Sequence, residues 1–285
     1  MNVLRKAACT AFLCAAGASP AGAHHEAIYG AQSSLGVSAD SYMTAQVFTR
    51  STGPSGRRVQ ETTTVLSGGK SLGGGPLSLS IVVPFSVIAG EPGRGTHIGL
   101  ENAIVAGRYR VDLPAVNRLI GSQESYVLGV GRIEIPTGTI DYEFFEGAPA
   151  AVAGLSVGLE RRPVSLIAYA FMNRYTERND TRDSGHTFAG AGVAWTPLDD
   201  EPNGRLFSVQ LGLSLDAAAR EISNGVRLDG TGGRAVMAHP SVVWSWSPGV
   251  LWFVSTALPL TERWRDPADR EHFRVGAGAI LSWAR

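Results

Sequence analysis

Leu206-Phe207-Ser208-Val209-Gln210-Leu211-Gly212-Leu213-Ser214-Leu215-Asp216 places Phe207, Val209, Leu211, Leu213 and Leu215 on the odd positions and small or polar residues on the even ones. A side-chain period of two is a β-strand with one greasy face and one wet face. In a soluble sandwich the greasy face meets a second sheet; in a membrane barrel it meets lipid while the wet face lines the lumen. For a barrel, this facing predicts that Leu211→Arg blocks assembly and Gln210→Arg leaves it intact.

The first residues narrow the choice. Met1 to Lys6 is basic, Ala7 to Gly17 is apolar and small, and Ala21-Gly22-Ala23 is an A-x-A cleavage pattern. We read residues 1–23 as a secretory signal peptide, residues 24–33 as a lead-in without period, and 34–285 as the exported domain. Cys9 and Cys14 leave with the signal, and Ala11-Phe12-Leu13 before Cys14 is not a lipoprotein box. An exported chain without cysteines cannot lean on disulfides, so sheet closure or a large core must hold it. With Arg5 and Lys6 removed, acidic residues slightly outnumber basic ones, which gives no support for a nucleic-acid partner. No run of about 18 apolar residues follows the signal, so no transmembrane helix is predicted.

Alternating segments recur along the rest of the chain. Strands are predicted at about Leu35 to Thr49, Arg57 to Gly68, Leu77 to Phe85, Ala103 to Asp112, Tyr126 to Pro136 and Leu155 to Glu160, then Val164 to Arg174 and Phe188 to Thr196. The opening segment follows, with Arg234 to Trp246, Leu251 to Leu260 and His272 to Trp283 after it. The first two alternate poorly. Pro84 is awkward for a central strand because it lacks a ladder donor. Between Tyr126 and Pro136 the apolar phase slips from Leu128 and Val130 to Ile133 and Ile135, which predicts a bulge or the membrane edge near Gly131.

An even set of about twelve strands suits a closed, antiparallel, all-β transmembrane barrel. Thr139 to Pro149, Tyr175 to Ser184, Ala217 to Gly233 and Thr261 to Glu271 are long polar connections, whereas Arg161 to Pro163 and Ser247 to Gly249 are tight. Long and short connections should alternate between the two mouths; Pro114 to Ser122 breaks that rule. All six tryptophans lie from Trp195 onward, near strand ends, as an interfacial girdle would place them.

Two resemblances add to this reading. Gly278-Ala279-Ile280-Leu281-Ser282-Trp283 resembles the C-terminal assembly signal of outer-membrane barrels, with Gly278, Leu281 and Trp283 as its marks and Ala284-Arg285 overhanging. It implies insertion into outer-membrane lipid by the barrel-assembly machinery. Val83-Pro84-Phe85, Gly99-Leu100 ahead of Gly107-Arg108-Tyr109-Arg110, Gly129 and Gly131 ahead of Pro136-Thr137-Gly138, Ala257-Leu258-Pro259-Leu260 and Phe273-Arg274-Val275-Gly276 also form a pattern. From about Ser78 onward the chain thereby resembles outer-membrane barrels of the transporter or meta-pathway-of-phenol-degradation type. Where that pattern often has Gly-Leu-Gly-Asp, this chain has Gly99-Leu100-Glu101-Asn102. The resemblance implies a pore for small-molecule solutes, hydrophobic or aromatic ones included, in a Gram-negative outer membrane.

Arg108, Arg110, Asp112, Arg132, Glu134, Glu160, Gln210, Asp216, His272 and Arg274 fall on predicted wet faces. Such charges either form a selectivity constriction or only satisfy one another. Three rival readings stand beside the pore. An outer-membrane lipase or deacylase would draw on His97, His186, His239 or His272, yet no Gly-x-Ser-x-Gly elbow is present. Cleavage before His24 would set a free amine beside His24 and His25, a set suited to copper or zinc. A soluble β-sandwich binding module is the third.

Overall fold

The computed structural model describes residues 41–54, 58–73, 75–90, 95–139, 150–175, 181–182, 185–200 and 203–283. The predicted signal peptide, the lead-in, His24 and His25 lie outside the described residues.

The wall consists of β1 (Ser41–Thr52), β2 (Val59–Ser71), β3 (Leu77–Ala89), β4 (His97–Leu100), β5 (Ala103–Asp112), β6 (Glu124–Ile135), β7 (Ala150–Arg161) and β8 (Val164–Tyr175). After β9 (Thr181–Arg182) it continues with β10 (His186–Asp200) and β11 (Arg205–Ala218). Past β12 (Ile222–Ser223) and β13 (Val226–Arg227) come β14 (Gly233–Ser247), β15 (Val250–Glu262) and β16 (Glu271–Trp283). β9, β12 and β13 pair only with one another, as a separate three-stranded sheet. Each wall strand is antiparallel to its neighbours, β2 pairs with both β1 and β3, and β1 pairs with β16 from Ser41 opposite Trp283 to Thr52 opposite Glu271. The ring therefore has no free edge.

β4 and β5 are one stave broken at Glu101 and Asn102. β3 pairs with β4 from Phe85 to Ile88 and with β5 from Leu77 to Val82. Val83 and Pro84 sit at the break, where the Glu101 N–H donates to the Pro84 carbonyl. The proline thus occupies the interruption its missing donor requires, and the ring counts twelve staves.

We call the mouth where β1 begins and β16 ends the near mouth, and the other the far mouth. Near-mouth connections are short, except that the one between β5 and β6 contains α1 (Pro114–Ile120). Proline opens this helix and Gly121, at φ 67°, ends it, which explains why Pro114 to Ser122 is longer than a tight turn.

Alternation sorts the side chains. On β11, Leu211 is 52% and Leu213 51% exposed on the outer face, while Ser208, Gln210, Ser214 and Asp216 are buried on the inner one. The same pattern on β3 turns Leu77, Leu79, Ile81, Val83 and Phe85 outward. A continuous apolar belt of this kind is unstable against water and is at home in hydrocarbon. Among the described residues no helix is long and apolar enough to cross a membrane, which says nothing about a barrel.

Three expectations need correction. There is no bulge near Gly131: β5 and β6 stay in register from Ala103 opposite Ile135 to Asp112 opposite Tyr126. The phase slips because Leu128 and Val130 point inward, into an apolar interior cluster, while Ile133 and Ile135 point outward. The first two strands run on past their predicted ends, to Thr52 and Ser71; their alternation is weak because Tyr42, Phe48 and Val65 are buried inside whereas Thr62 and Thr64 share the outer face with Leu66. Finally, Trp264 leaves the girdle. It is 7% exposed and packs with interior Ala235, Met237 and Ala257.

The glycines of the inner face explain how a narrow interior holds so many rings. Tyr42, Tyr126, Phe171, Tyr169 and Phe253 each stand directly opposite a glycine on the neighbouring strand: Gly69, Gly158, Gly154, Gly190 and Gly278. A Cβ at Gly158 would come within 2.6 Å of ring atoms of Tyr126, and one at Gly278 would lie 2.6 Å from Phe253. The rings fold over these positions, so no larger side chain fits without moving them.

Candidate functional site: the barrel interior

The inner wall has three bands. At the near mouth Arg108, buried, donates from Nη1 to the Tyr42 hydroxyl at 2.9 Å. Arg110 bridges Asp112 at 2.7 Å and also pairs with Glu124, its guanidinium 4.1 Å from the Tyr126 ring centroid. Glu160 accepts from Arg162 at 3.0 Å, and Arg162 reaches Asp199 at 2.8 Å. Asp112 is exposed at the rim.

At middle height the wall is two-sided: an apolar cluster lines it from β1 through β10, while Gln46, Gln210, His239, Ser241 and Ser255 keep the rest polar. Phe48, Val65, Val82, Ile104, Leu128, Val130, Val152, Ile167, Phe171 and Phe188 form one buried cluster with Tyr126, Tyr169 and Ala194. Gln210 lies on the same inner face, its Oε1 accepting from the Ser241 hydroxyl at 3.1 Å.

Toward the far mouth the wall is charged. Arg50 on β1 donates from Nε and Nη2 to Glu61 on β2, at 3.0 and 2.7 Å. Glu61 also accepts from Thr63, whose hydroxyl lies against that of Ser86, and Ser86 in turn stands against Glu101. Arg274 stands opposite Arg50 across the β1–β16 seam and makes a two-pronged pair with Glu271, at 3.1 and 2.7 Å. His186 Nδ1 lies 3.5 Å from Asp216 and its ring stacks on Phe188. Arg132 and Glu134 are buried on the inner face.

Nine of the ten predicted wet-face residues lie on the inner face, Asp112 at its rim, and they do not form a single ring. Arg108, Arg110, Asp112 and Glu160 belong to the near mouth; Arg132, Glu134, Asp216 and Arg274 to the far half. His272 is the exception. The register slips between Ser51 and Thr52, so Glu271 turns inward and His272 instead bonds the Gly53 carbonyl at 2.7 Å through Nε2. Sequence reasoning missed Arg50, Glu61, Glu101 and Glu271, because poor alternation hid the facing of β1 and β2 and the two breaks at Glu101 and His272 reverse the phase.

It also missed a serine and histidine in contact. Ser214 Oγ is 2.7 Å from His239 Nε2, the kind of pair that serves nucleophilic catalysis. The side chains are 3% and 0% exposed, and among the described residues His239 Nδ1 has no hydrogen-bond partner. The contact gives the Ser214 hydroxyl and His239 Nε2 a hydrogen-bond partner in the barrel interior. Among the described residues no group of three or more His, Cys, Asp or Glu side chains is placed to hold a metal ion.

A closed ring of twelve antiparallel staves, apolar outside and polar and aromatic inside, is the fold of the outer-membrane β-barrels. Solved structures bear this out. The chain is similar to an outer membrane channel from Pseudomonas putida F1 at a TM-score of 0.71 and 11% identity, over 86% of this chain and 96% of that one. It is also similar to the beta domain of the Bordetella autotransporter BrkA, at a TM-score of 0.53 and 14% identity, over 86% and 100% of the two chains. The NanC porin gives 0.52 at 10% identity, over 85% and 100%. No protein-family model matches the chain, and no curated protein matches it.

Proposed function

We propose that this chain is an outer-membrane channel for small molecules, with hydrophobic or aromatic solutes among those it passes, in a Gram-negative bacterium. The observation that carries this reading is a cluster of thirteen aliphatic and aromatic side chains that faces inward from β1 through β10. Polar solutes lose hydration against that stretch of wall, whereas apolar and aromatic ones gain contact with it. The name of the Pseudomonas putida neighbour and the resemblance to barrels of the phenol-degradation type agree with it. In this reading the near mouth, with its short connections, is periplasmic and the far mouth is external. The signal peptide of residues 1–23 directs export, and the barrel-assembly machinery reads the strand ending in Leu281 and Trp283. The charged bands at the two mouths act as the selectivity elements, and Arg108, Arg110, Arg132, Glu134, Glu160, Asp216 and Arg274 are their members.

Refolded protein in planar bilayers should give discrete conductance steps, and liposomes containing it should take up a small aromatic carboxylate, which crosses protein-free liposomes slowly, faster than protein-free liposomes do. Folded, inserted protein that gives neither steps nor uptake would overturn the channel reading while leaving the fold untouched.

A further inference from the structure

The outer surface at the far mouth carries two arginines that the channel does not use. Arg234, at the start of β14, and Arg263, just past β15, are paired by backbone: the Arg263 N–H donates to the Arg234 carbonyl at 2.8 Å and the Arg234 N–H returns to the Arg263 carbonyl at 3.4 Å. Residues exchanging both bonds stand directly opposite, with side chains leaving the same face. Their neighbours Ala235 and Trp264 are buried inside, so both guanidinium groups point outward, and both residues are exposed. Like charges directly opposite destabilise a strand pair. Asp229, an acid of the same mouth, is taken by Arg220 at 2.5 Å. Among the described residues neither Arg234 nor Arg263 forms an ion pair.

Their height is the second observation. Leu258 and Leu260 of β15, both exposed, lie just below them, so the pair stands at the upper limit of the apolar belt. The lower limit is chemically different: Trp195, Trp246, Trp252 and Trp283 are exposed at the near mouth. Tryptophan rings suit a phospholipid interface. Two paired guanidinium forks suit a phosphate, which each can grip through two N–H groups.

We propose that Arg234 and Arg263 form a binding site for the phosphate of a phosphorylated glycolipid in the outer leaflet. The site rests on the barrel standing in an outer membrane with its far mouth outside, and is independent of conduction, so a failed conductance experiment leaves it unaffected. The test uses full-length refolded protein in detergent, titrated with bisphosphorylated lipid A, with dephosphorylated lipid A and with inorganic phosphate alone. Wild type should bind the bisphosphorylated lipid at least tenfold more tightly than the dephosphorylated one, and Arg234→Gln/Arg263→Gln should remove that preference while keeping its heat-modifiable mobility. Equal binding of the two lipids by wild type overturns the proposal whether or not the variant folds. So does a variant that keeps the preference, or inorganic phosphate binding as tightly as the lipid.

Discussion

Arg274→Leu is expected to destabilise the folded barrel by about 3–5 kcal/mol, and Glu271→Leu/Arg274→Leu to recover most of that loss. Glu271 is 0% exposed and its carboxylate is gripped at both oxygens by Arg274. Removing the arginine leaves a buried carboxylate without its two-pronged partner at the seam where β1 meets β16. Arg50, opposite Arg274, is already paired with Glu61 on the next strand. The single variant therefore strikes where the ring closes. Replacing both partners removes the charge and its solvation demand together, and the two leucines fill a comparable volume. Urea unfolding in detergent, followed by the shift between folded and heat-denatured bands, measures each member of the cycle. A double variant as unstable as the single one would mean that the pair supports the seam by packing and not by charge.

Leu211→Arg should cost about 2–4 kcal/mol and largely abolish insertion, because position 211 lies midway along β11 on the outer face. The expectation that Gln210→Arg is harmless does not survive the structure. Gln210 is buried and bonded to Ser241, so an arginine there would be a buried charge with no built partner. The proper comparison is Gln210→Met, which keeps the volume and loses one hydrogen bond, worth about 1 kcal/mol. Vesicle refolding, scored by the fraction of heat-modifiable band, should separate the two variants clearly. Equal yields would show that residue 211 does not face lipid.

What the sequence made legible is the outer face. Lipid asks every outward position for the same thing, so Leu77 to Phe85 and Phe207 to Leu215 announce themselves by period alone. The inner face answers to particular neighbours, and there single-strand periodicity loses its grip. Leu128 and Val130 look like a slipped phase because their reason for being apolar is a cluster contributed by other strands. Gly158 and Gly278 look like loose punctuation until Tyr126 and Phe253 are seen lying over them. His272 looks inward by counting, yet one irregular pairing with Thr52 exchanges it for Glu271. Ser214 and His239 are separated in the chain and brought together only by the register of β11 with β14.

The account depends on which way these side chains point, and that can be read in a membrane. Cys9 and Cys14 are the chain's two cysteines, so protein refolded from residue 24 onward offers a clean background for single cysteines. Leu211→Cys, Leu213→Cys, Gly212→Cys and Ser214→Cys, each carrying a small fluorophore, should be examined in vesicles with nitroxide-labelled acyl chains. The account predicts strong quenching at 211 and 213 and little at 212 and 214. Equal quenching along the strand, or quenching at the even positions, would contradict it.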